Sequence, residues 1–268
     1  PEKQKADISG GLTYDATQAE NYTTILAIAP DHFDAQTIWV GTDDGNLQLT
    51  RDGGKNWTNL ASRLPGAAAG SWIPYIEVSR VNPGEAFVIV NDYRRNNFEP
   101  MAYHTKDYGK TWQRIVGKDA VSGYTLSIVQ DPQVPGHLWL GTDHGLYFSI
   151  DYGKNWIKWT EGFPGVPVAD MKIHPREQDL IIGTFGRAAW ILDDLRPMRE
   201  VARSNGDILK KPFATFPSPD AYLAETRSYQ GIRFIADAEF VGEDRPMGAL
   251  LTVWVKPKDK KAEEAPKE

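Results

Sequence analysis

The chain has 268 residues, a formal net charge of −6 at pH 7 and no cysteine. Its length allows a sizeable core, and its 9 Trp and 24 Gly suit a fold built on Trp-anchored tight turns. The acidic balance disfavours nucleic acid as a partner, because proteins that bind it carry a basic footprint. The lack of cysteine excludes disulfides and thiolate metal sites. The sequence has no run of about 18 apolar residues, so it predicts no transmembrane helix.

The predicted elements follow a polar entering segment, residues 1–23, which can contribute one strand. Apolar runs separated by Gly, Pro and Asp turns then recur four times, at a spacing of roughly 44–55 residues, which is typical of four-stranded blades. The units begin at residues 24–30, 75–79, 125–129 and 168–174, and the last ends by residue 198. The sequence therefore predicts an all-β fold, a β-propeller segment of about four blades.

One short pattern, [Ser/Thr]-x-Asp-x-Gly-x-x-Trp, closes three of the four units, at residues 50–57, 105–112 and 149–156. It resembles the Asp-box, or BNR repeat. The Asp carboxylate can accept backbone N–H bonds within a hairpin, the Gly supplies a positive φ, and the Trp packs against a neighbouring blade. We therefore expect the three Trp rings to be mostly buried. We assign structural roles to six residues of the boxes: Asp52, Trp57, Asp107, Trp112, Asp151 and Trp156.

Beyond the repeats, residues 199–255 predict a C-terminal module. Residues 201–212 are typical of a connector, and further strands are predicted at 213–217, 221–224, 233–236 and 248–255. These strands form a partial β-sandwich-like module or pack on the propeller edge. The final segment, 256–268, is a run of Lys, Glu, Pro and Ala that predicts a disordered charged tail.

The chain resembles the bacterial sortilin/VPS10-like BNR repeat proteins, which are often labelled glycosyl hydrolase or sialidase-like. The likeness covers roughly residues 1–255 and is most specific over 24–198, where it is carried by the segments 39–45, 91–95, 107–112, 183–187 and 190–194. It implies that these are the C-terminal blades of a larger exported propeller, followed by a β-sandwich. Phe185 stands where the family commonly has His.

The missing blades are the first predicted partner, on an upstream segment or another chain. The sequence begins at Pro1 without an initiator Met or a signal sequence, so we expect a processed piece of something longer. Blades bury their faces only against neighbouring blades. Four blades alone therefore either close into a small ring or leave two exposed apolar edges.

The predicted binding surface lies at the end of the blades opposite the Asp-boxes, which we call the distal rim. The turns between second and third strands and the links between blades meet there. The second unit has a longer turn region (residues 90–105) than the first (41–50) or third (141–149), and such additions to a rigid scaffold often carry function. The candidate ligand-binding residues are Trp72, Tyr75, Asp92, Tyr93, Arg94, Arg95, Asp143, His144 and Arg187.

We interpret the chain as a non-catalytic binding or scaffold module for a peptide, protein or glycan, in an extracellular, periplasmic or cell-envelope setting that the resemblance implies. The alternative is a glycoside hydrolase. A sialidase-like site would draw on Arg94, Arg95 and Arg187, and a xyloglucanase-like site on paired carboxylates among Asp43, Asp44, Asp92 and Asp143. No catalytic residue is assigned, and the five His residues lack metal-ligand spacing, so neither a metal nor a cofactor is predicted.

Overall fold

A computed structural model describes residues 23–221 and 248–257 of the chain. Three predicted segments lie outside these ranges: residues 1–22 of the entering segment, the strand at 233–236 and nearly all of the tail. The chain divides into two compact units, Pro1–Leu195 and Arg196–Glu268. The first unit contains the four predicted repeats.

Each repeat forms one antiparallel sheet whose strands follow in chain order. The first and second blades comprise β1 (Ile25–Pro30), β2 (Ile38–Thr42), β3 (Leu47–Thr50), β4 (Thr58–Asn59), β5 (Trp72–Val78), β6 (Ala86–Asp92), β7 (Asn97–Thr105) and β8 (Gln113–Arg114). The third and fourth comprise β9 (Thr125–Gln130), β10 (Leu138–Thr142), β11 (Gly145–Ser149), β12 (Ile157–Trp159), β13 (Val168–Ile173), β14 (Leu180–Thr184) and β15 (Ala189–Leu192). Within residues 23–221 and 248–257 the fourth blade has three strands, which agrees with its lack of an Asp-box pattern.

The blades stack through their inner strands, because β1 packs on β5, β5 on β9 and β9 on β13. Two apolar cores fill the spaces between them. The first joins blades one and two around Trp39, Val88 and Tyr103. The second joins blades two and three around Phe87 and Leu138. Strand alternation explains this division, since Phe87 and Val88 are consecutive in β6 and point to opposite faces of the sheet.

The three Asp-box patterns adopt one hydrogen-bond arrangement. In the first, the Asp52 carboxylate accepts the Asn56 N–H at 2.9 Å and the Asn56 side-chain amide at 2.7 Å. The Thr50 hydroxyl donates to the same carboxylate at 2.8 Å. Asp107 and Asp151 accept the equivalent backbone N–H groups, each at 2.9 Å. These contacts are local to the turn, which is why a short sequence pattern describes them.

The Trp rings of the three boxes differ in burial, contrary to the expectation that all are mostly buried. Trp156 is 9% exposed and its Nε1 donates to the Ile115 carbonyl of blade two at 2.8 Å. Trp112 lies edge-on to Trp39 of blade one. Trp57 is 44% exposed and donates only within its own turn, to Gly54. Trp112 and Trp156 thus pack against the preceding blade, whereas among the described residues no blade precedes the first for Trp57 to pack on.

The first turn of every blade is closed by the side chain of its leading residue. The Asp31 carboxylate accepts the N–H groups of residues 33 and 34, and Asp131 accepts those of residues 133 and 134. The Ser79 hydroxyl and the His174 ring nitrogen accept backbone N–H groups in the same place. Sequence reasoning missed this repeat because four turns use three different residue types for one purpose.

The region predicted as an inserted loop, residues 92–98, is a lengthened hairpin. Strand β6 continues to Asp92, a single 3₁₀ turn covers Tyr93–Arg95, and β7 starts at Asn97. Asn96 ends the turn with a φ of 61°, which Asn tolerates better than most residues. The extra residues therefore extend two paired strands beyond the blade and hold the intervening side chains in a fixed position.

The second unit differs from the prediction at its start. An α-helix, α1 (Arg196–Arg203), crosses the boundary predicted at residue 198 and runs into the segment 201–212, which the sequence predicted as a connector. Pro197 lies in its first turn, where proline is tolerated because those N–H groups have no helical partner. Strands β16 (Phe213–Thr215) and β17 (Val253–Val255) pair antiparallel, at two of the positions where strands were predicted.

Candidate ligand-binding site on the distal rim

The lengthened hairpin of blade two carries an aromatic cluster on the distal rim. Tyr93 meets Trp72 edge-on at 5.8 Å between ring centroids and stacks on Tyr124 at 4.9 Å. Phe98 lies 6.3 Å from Tyr124 and is 52% exposed. These four residues, which we call the rim aromatic cluster, come from the start of β5, the β6–β7 hairpin and the β8–β9 link, and they form one contiguous apolar surface.

Two arginines of this hairpin have different surroundings. The Arg94 guanidinium lies 3.8 Å from the centroid of the Trp72 ring, which is a cation–π contact. Arg95 donates to the Asp92 carboxylate at 2.6 Å, to the Ala69 carbonyl at 2.8 Å and to the Ser71 hydroxyl at 3.0 Å. Arg95 therefore fixes the hairpin to the β4–β5 link, whereas Arg94 covers one face of Trp72.

Asp143 and His144 lie at the edge of the cluster, beside Tyr124. The Asp143 N–H donates to the Tyr124 carbonyl at 3.1 Å, and His144 Nδ1 lies 2.8 Å from an Asp143 oxygen. Gly123 has a φ of 80°, which favours glycine, and a Cβ there would force the Asp143 carboxylate to move. Burial, together with the Asp143 charge, raises the pKa of Tyr124.

Asp43 and Asp44, the other rim carboxylates, also accept hydrogen bonds from the protein. Asp43 accepts the Thr24 N–H at 2.7 Å, and Asp44 accepts the Thr42 hydroxyl and the Asn46 amide. Burial raises the pKa of Asp43, an effect to which Asp44 adds and which the Thr24 N–H and Arg94 oppose. These bonds stabilise turns, so the carboxylates have structural functions whatever else they do.

Tyr75 lies in a different cluster from the other candidate residues. Its hydroxyl donates to Asp170 at 2.9 Å and accepts from Lys172 at 3.0 Å, which links the inner strands of blades two and four. Burial raises the pKa of the neighbouring Glu77 to about 7, although Lys172 opposes the shift. Trp72 is the first residue of β5, at the rim, whereas Tyr75 lies in the middle of the strand, opposite Ile89.

The structure therefore brings together seven of the nine candidate residues, directly or through Tyr124. Arg187 lies in the β14–β15 turn of blade four, where its carbonyl accepts Trp190 Nε1 at 2.9 Å, and no described contact joins it to the cluster. Sequence reasoning did not select Tyr124 and Phe98 as ligand-binding residues, although they complete the aromatic surface. Both stand in segments that the sequence already placed on this rim.

Metal-binding and membrane-spanning features were sought in the part of the chain that the structure describes. No group of three or more His, Cys, Asp or Glu side chains within residues 23–221 and 248–257 is arranged to hold a metal ion. In the same ranges, no helix has the length and apolar character needed to cross a membrane.

Comparison with known sequences identifies two curated fungal relatives. An oligoxyloglucan-reducing end-specific xyloglucanase from Emericella nidulans is 31% identical over 140 residues, which cover 50% of this chain and 17% of that protein. A probable enzyme of the same name from Neosartorya fischeri is 26% identical over 198 residues, covering 69% of this chain and 21% of the relative. The chain thus spans about a fifth of the length of these relatives. No protein-family model matches it.

Solved structures agree on the fold. The GH74 xyloglucanase from Xanthomonas campestris superposes with a TM-score of 0.53 at 17% identity, over 71% of this chain and 31% of that one. The GH74 enzyme from Niastella koreensis gives a TM-score of 0.52 at 16% identity, over 64% and 28% of the two chains. The predicted all-β propeller architecture is confirmed. The narrower likeness to sortilin/VPS10-like proteins stays a prediction.

Proposed function

We propose that this chain forms glycan-binding blades of a glycoside hydrolase-like propeller, and that it binds a β-glucan such as xyloglucan on the distal rim. The observation that carries the proposal is the rim aromatic cluster, Trp72, Tyr93, Phe98 and Tyr124, with Arg94 seated on it. Flat rings pack against the apolar faces of sugars, and a guanidinium donates to their hydroxyl groups. The similarity to xyloglucanases favours a glycan over a peptide or protein ligand.

The cluster has the rigidity that a binding surface requires. Arg95 attaches the hairpin to the β4–β5 link through two hydrogen bonds, to Ala69 and Ser71, and bonds to Asp92 within the hairpin. The Asp92 carboxylate that Arg95 contacts is itself buried. A recess of about 200 Å³ lies beside the cluster, bounded by Ala69, Gly70, Trp72 and the two arginines. Little conformational entropy is then lost on binding, because the groups that meet the ligand are already held.

Glycoside hydrolysis is the second candidate, and one observation favours it beyond the similarity. Asp43 is buried on the distal rim with a raised pKa, as a general acid requires. Hydrolysis also needs a second carboxylate at a suitable separation, and Asp44, Asp92 and Asp143 are each bonded within the protein. We therefore assign binding to this chain and leave the cleavage chemistry to other parts of a larger protein.

We also propose that further blades cover the two outer faces of the four-blade stack. Ile28 on β1 is 64% exposed, and Ile191 on β15 is 62% exposed beside its register partner Ile181. Equivalent apolar residues between blades are buried against a neighbour. A protein with additional blades would bury these side chains, as repeat architectures do. An extracellular, periplasmic or cell-envelope location is proposed with this function, since plant β-glucans lie outside the cell.

A binding titration tests the proposal with a matched pair of variants. Phe98→Ala removes the most exposed ring of the cluster and should weaken binding of a soluble xyloglucan oligosaccharide roughly tenfold. Phe33→Ala removes a ring of nearly equal exposure, 51%, from the β1–β2 turn at the Asp-box end and should leave affinity unchanged. Isothermal calorimetry measures both. Equal affinities for the two variants would contradict the proposed site.

The same samples separate binding from cleavage. The formation of new reducing ends from the oligosaccharide, measured over time, should stay at the level of a protein-free control. If new reducing ends form and Asp43→Asn abolishes their formation, hydrolysis is favoured instead. An oligosaccharide of α-linked glucose serves as the specificity control and should bind more weakly than xyloglucan.

A further inference from the structure

We propose that the cleft between blades one and two is a second sugar-binding subsite, continuous with the rim aromatic cluster. The inference rests on the proposed glycan-binding function and extends the bound ligand by at least one sugar residue. The cleft lies between the β2–β3 turn of blade one and the β4–β5 link, on the same distal rim. Its ligand class is a neutral pyranose unit that presents hydroxyl groups to polar side chains.

The cleft has the size and lining of a small-molecule site. Its volume is about 320 Å³, within the range of about 300–1,000 Å³ that such sites occupy. The polar side is formed by Asp44, Asn46 and Asn59, and the apolar side by Leu64 and Ile73. One wall can therefore exchange hydrogen bonds with hydroxyl groups while the other packs against C–H groups.

The polar wall is an ordered row of amides. Asn59 Nδ2 donates to Asn46 Oδ1 at 2.8 Å, and Asn46 Nδ2 donates to Asp44 Oδ1 at 2.7 Å. The Ala61 N–H donates to Asn59 Oδ1 at 3.0 Å, which fixes the end of the row. Each side-chain amide has two N–H donors and an oxygen with two lone pairs. These bonds use one donor of each amide, so the row retains hydrogen-bonding capacity in a fixed orientation.

The cleft and the recess beside the aromatic cluster are neighbours, because Ala69 and Gly70 line both. The segment that includes these two residues, 65–70, contains only Pro, Gly and Ala, and we call it the ridge. It is attached at both ends, by the Tyr103 hydroxyl on the Pro65 carbonyl at 3.0 Å and by Arg95 on the Ala69 carbonyl at 2.8 Å. A linear oligosaccharide can cross this ridge and occupy both sites.

Glycine keeps the ridge close to blade one. A Cβ on Gly45 would lie 2.6 Å from the Gly70 Cα, so the two backbones touch at a distance that no side chain permits. Gly45 also has a φ of 81°. The tight β2–β3 turn therefore brings the amide row against the ridge, and the two parts of the site lie side by side.

A length series of xyloglucan oligosaccharides tests the subsite by calorimetry on the 268-residue chain. Wild type should bind a long oligosaccharide roughly tenfold tighter than the shortest one that fills the aromatic site. The double change Asn46→Ala with Asn59→Ala should remove that gain and leave the short oligosaccharide unaffected. Ala68→Phe, which places a bulky group in the cleft without removing an amide, should have the same effect. Gln133→Ala, which changes an amide near the Asp-box end, is the control and should change nothing.

The outcomes distinguish the two proposals. If both cleft variants keep the length dependence of wild type while Phe98→Ala still weakens the short oligosaccharide, the subsite is overturned and the proposed function stands. If wild type binds long and short oligosaccharides equally, the subsite is also overturned. If wild type binds neither, both proposals fail together. Loss of the length gain in both cleft variants, with melting temperatures near that of wild type, supports the subsite.

Discussion

Trp156→Ala should lower the free energy of unfolding by about 3–5 kcal/mol, whereas Trp57→Ala should lower it by less than about 1 kcal/mol. The two residues hold the same position in the same motif, and their turns share one hydrogen-bond arrangement. They differ in surroundings, because Trp156 is buried against blade two and Trp57 is exposed. Truncating a buried ring leaves a cavity and an unpaired carbonyl, while truncating an exposed one does not.

Urea denaturation of both variants measures the difference, with wild type as the reference. The pair is its own control, since any loss due to the motif alone appears in both. Equally small losses at both positions would show that the box Trp acts within its turn and not against the preceding blade. A loss at Trp57 comparable to that at Trp156 in the 268-residue chain would mean that its ring is covered.

Glu85→Ala should also destabilise the protein strongly, by about 3–5 kcal/mol, because it leaves a buried polar network without its acceptor. Glu85 is almost fully buried just before β6. Its carboxylate contacts His104 Nε2 at 2.8 Å and accepts the amides of Asn82 at 2.8 Å and Gln130 at 3.1 Å. His104 is stacked on Phe87 with ring centroids 4.4 Å apart. The network joins β6, β7 and β9, and so holds blades two and three together.

The Glu85 carboxylate should also make the stability of the protein depend on pH. Burial acts to raise the pKa of Glu85, but hydrogen bonds from His104, Asn82, Gln130 and Ser79 outweigh it and hold the pKa at about 2. The folded pKa lies below the unfolded value of about 4.5, so this contribution to stability is complete above about pH 5 and is lost as the pH falls towards about 2. Wild type should therefore lose more stability over this interval than Glu85→Gln does.

Urea midpoints recorded from about pH 7 to about pH 3 measure this difference between the two proteins. Glu99→Gln is the matched control, because Glu99 forms an exposed ion pair with Arg114 at 3.3 Å, and exposed pairs contribute little to stability. Its pH profile should follow that of wild type. Parallel profiles for wild type and Glu85→Gln would show that the Glu85 carboxylate is not the group that titrates.

The parts of this fold that the sequence predicted are those whose interactions are local. The box turns close on themselves within eight residues, and apolar runs between turn residues mark the strands. The capping of the first turns was missed because Asp31, Ser79 and His174 serve one geometric purpose with different chemistry. Helix α1 was missed because the segment is short and polar and lies at the boundary between units.

The candidate site was predicted less completely, because strand bounds and side-chain partners differ from the prediction. Tyr75 was placed with Trp72 because both were assigned to the link between blades, but Tyr75 lies inside β5 and its hydroxyl bonds to Asp170 on blade four. Arg95 was treated as a ligand-binding residue, yet its hydrogen bonds lie within the protein. Neither result follows from composition or spacing, since both depend on which strand pairs with which. The location of the cluster on this rim did follow from the order of strands and turns.

A crystal structure of the chain with a bound xyloglucan oligosaccharide tests the central claim most directly. We expect a pyranose ring within about 4 Å of the Phe98 or Trp72 ring and a sugar hydroxyl hydrogen-bonded to Arg94. A sugar bound at the Asp-box end of the blades, with the rim aromatic cluster unoccupied, would contradict the proposed site.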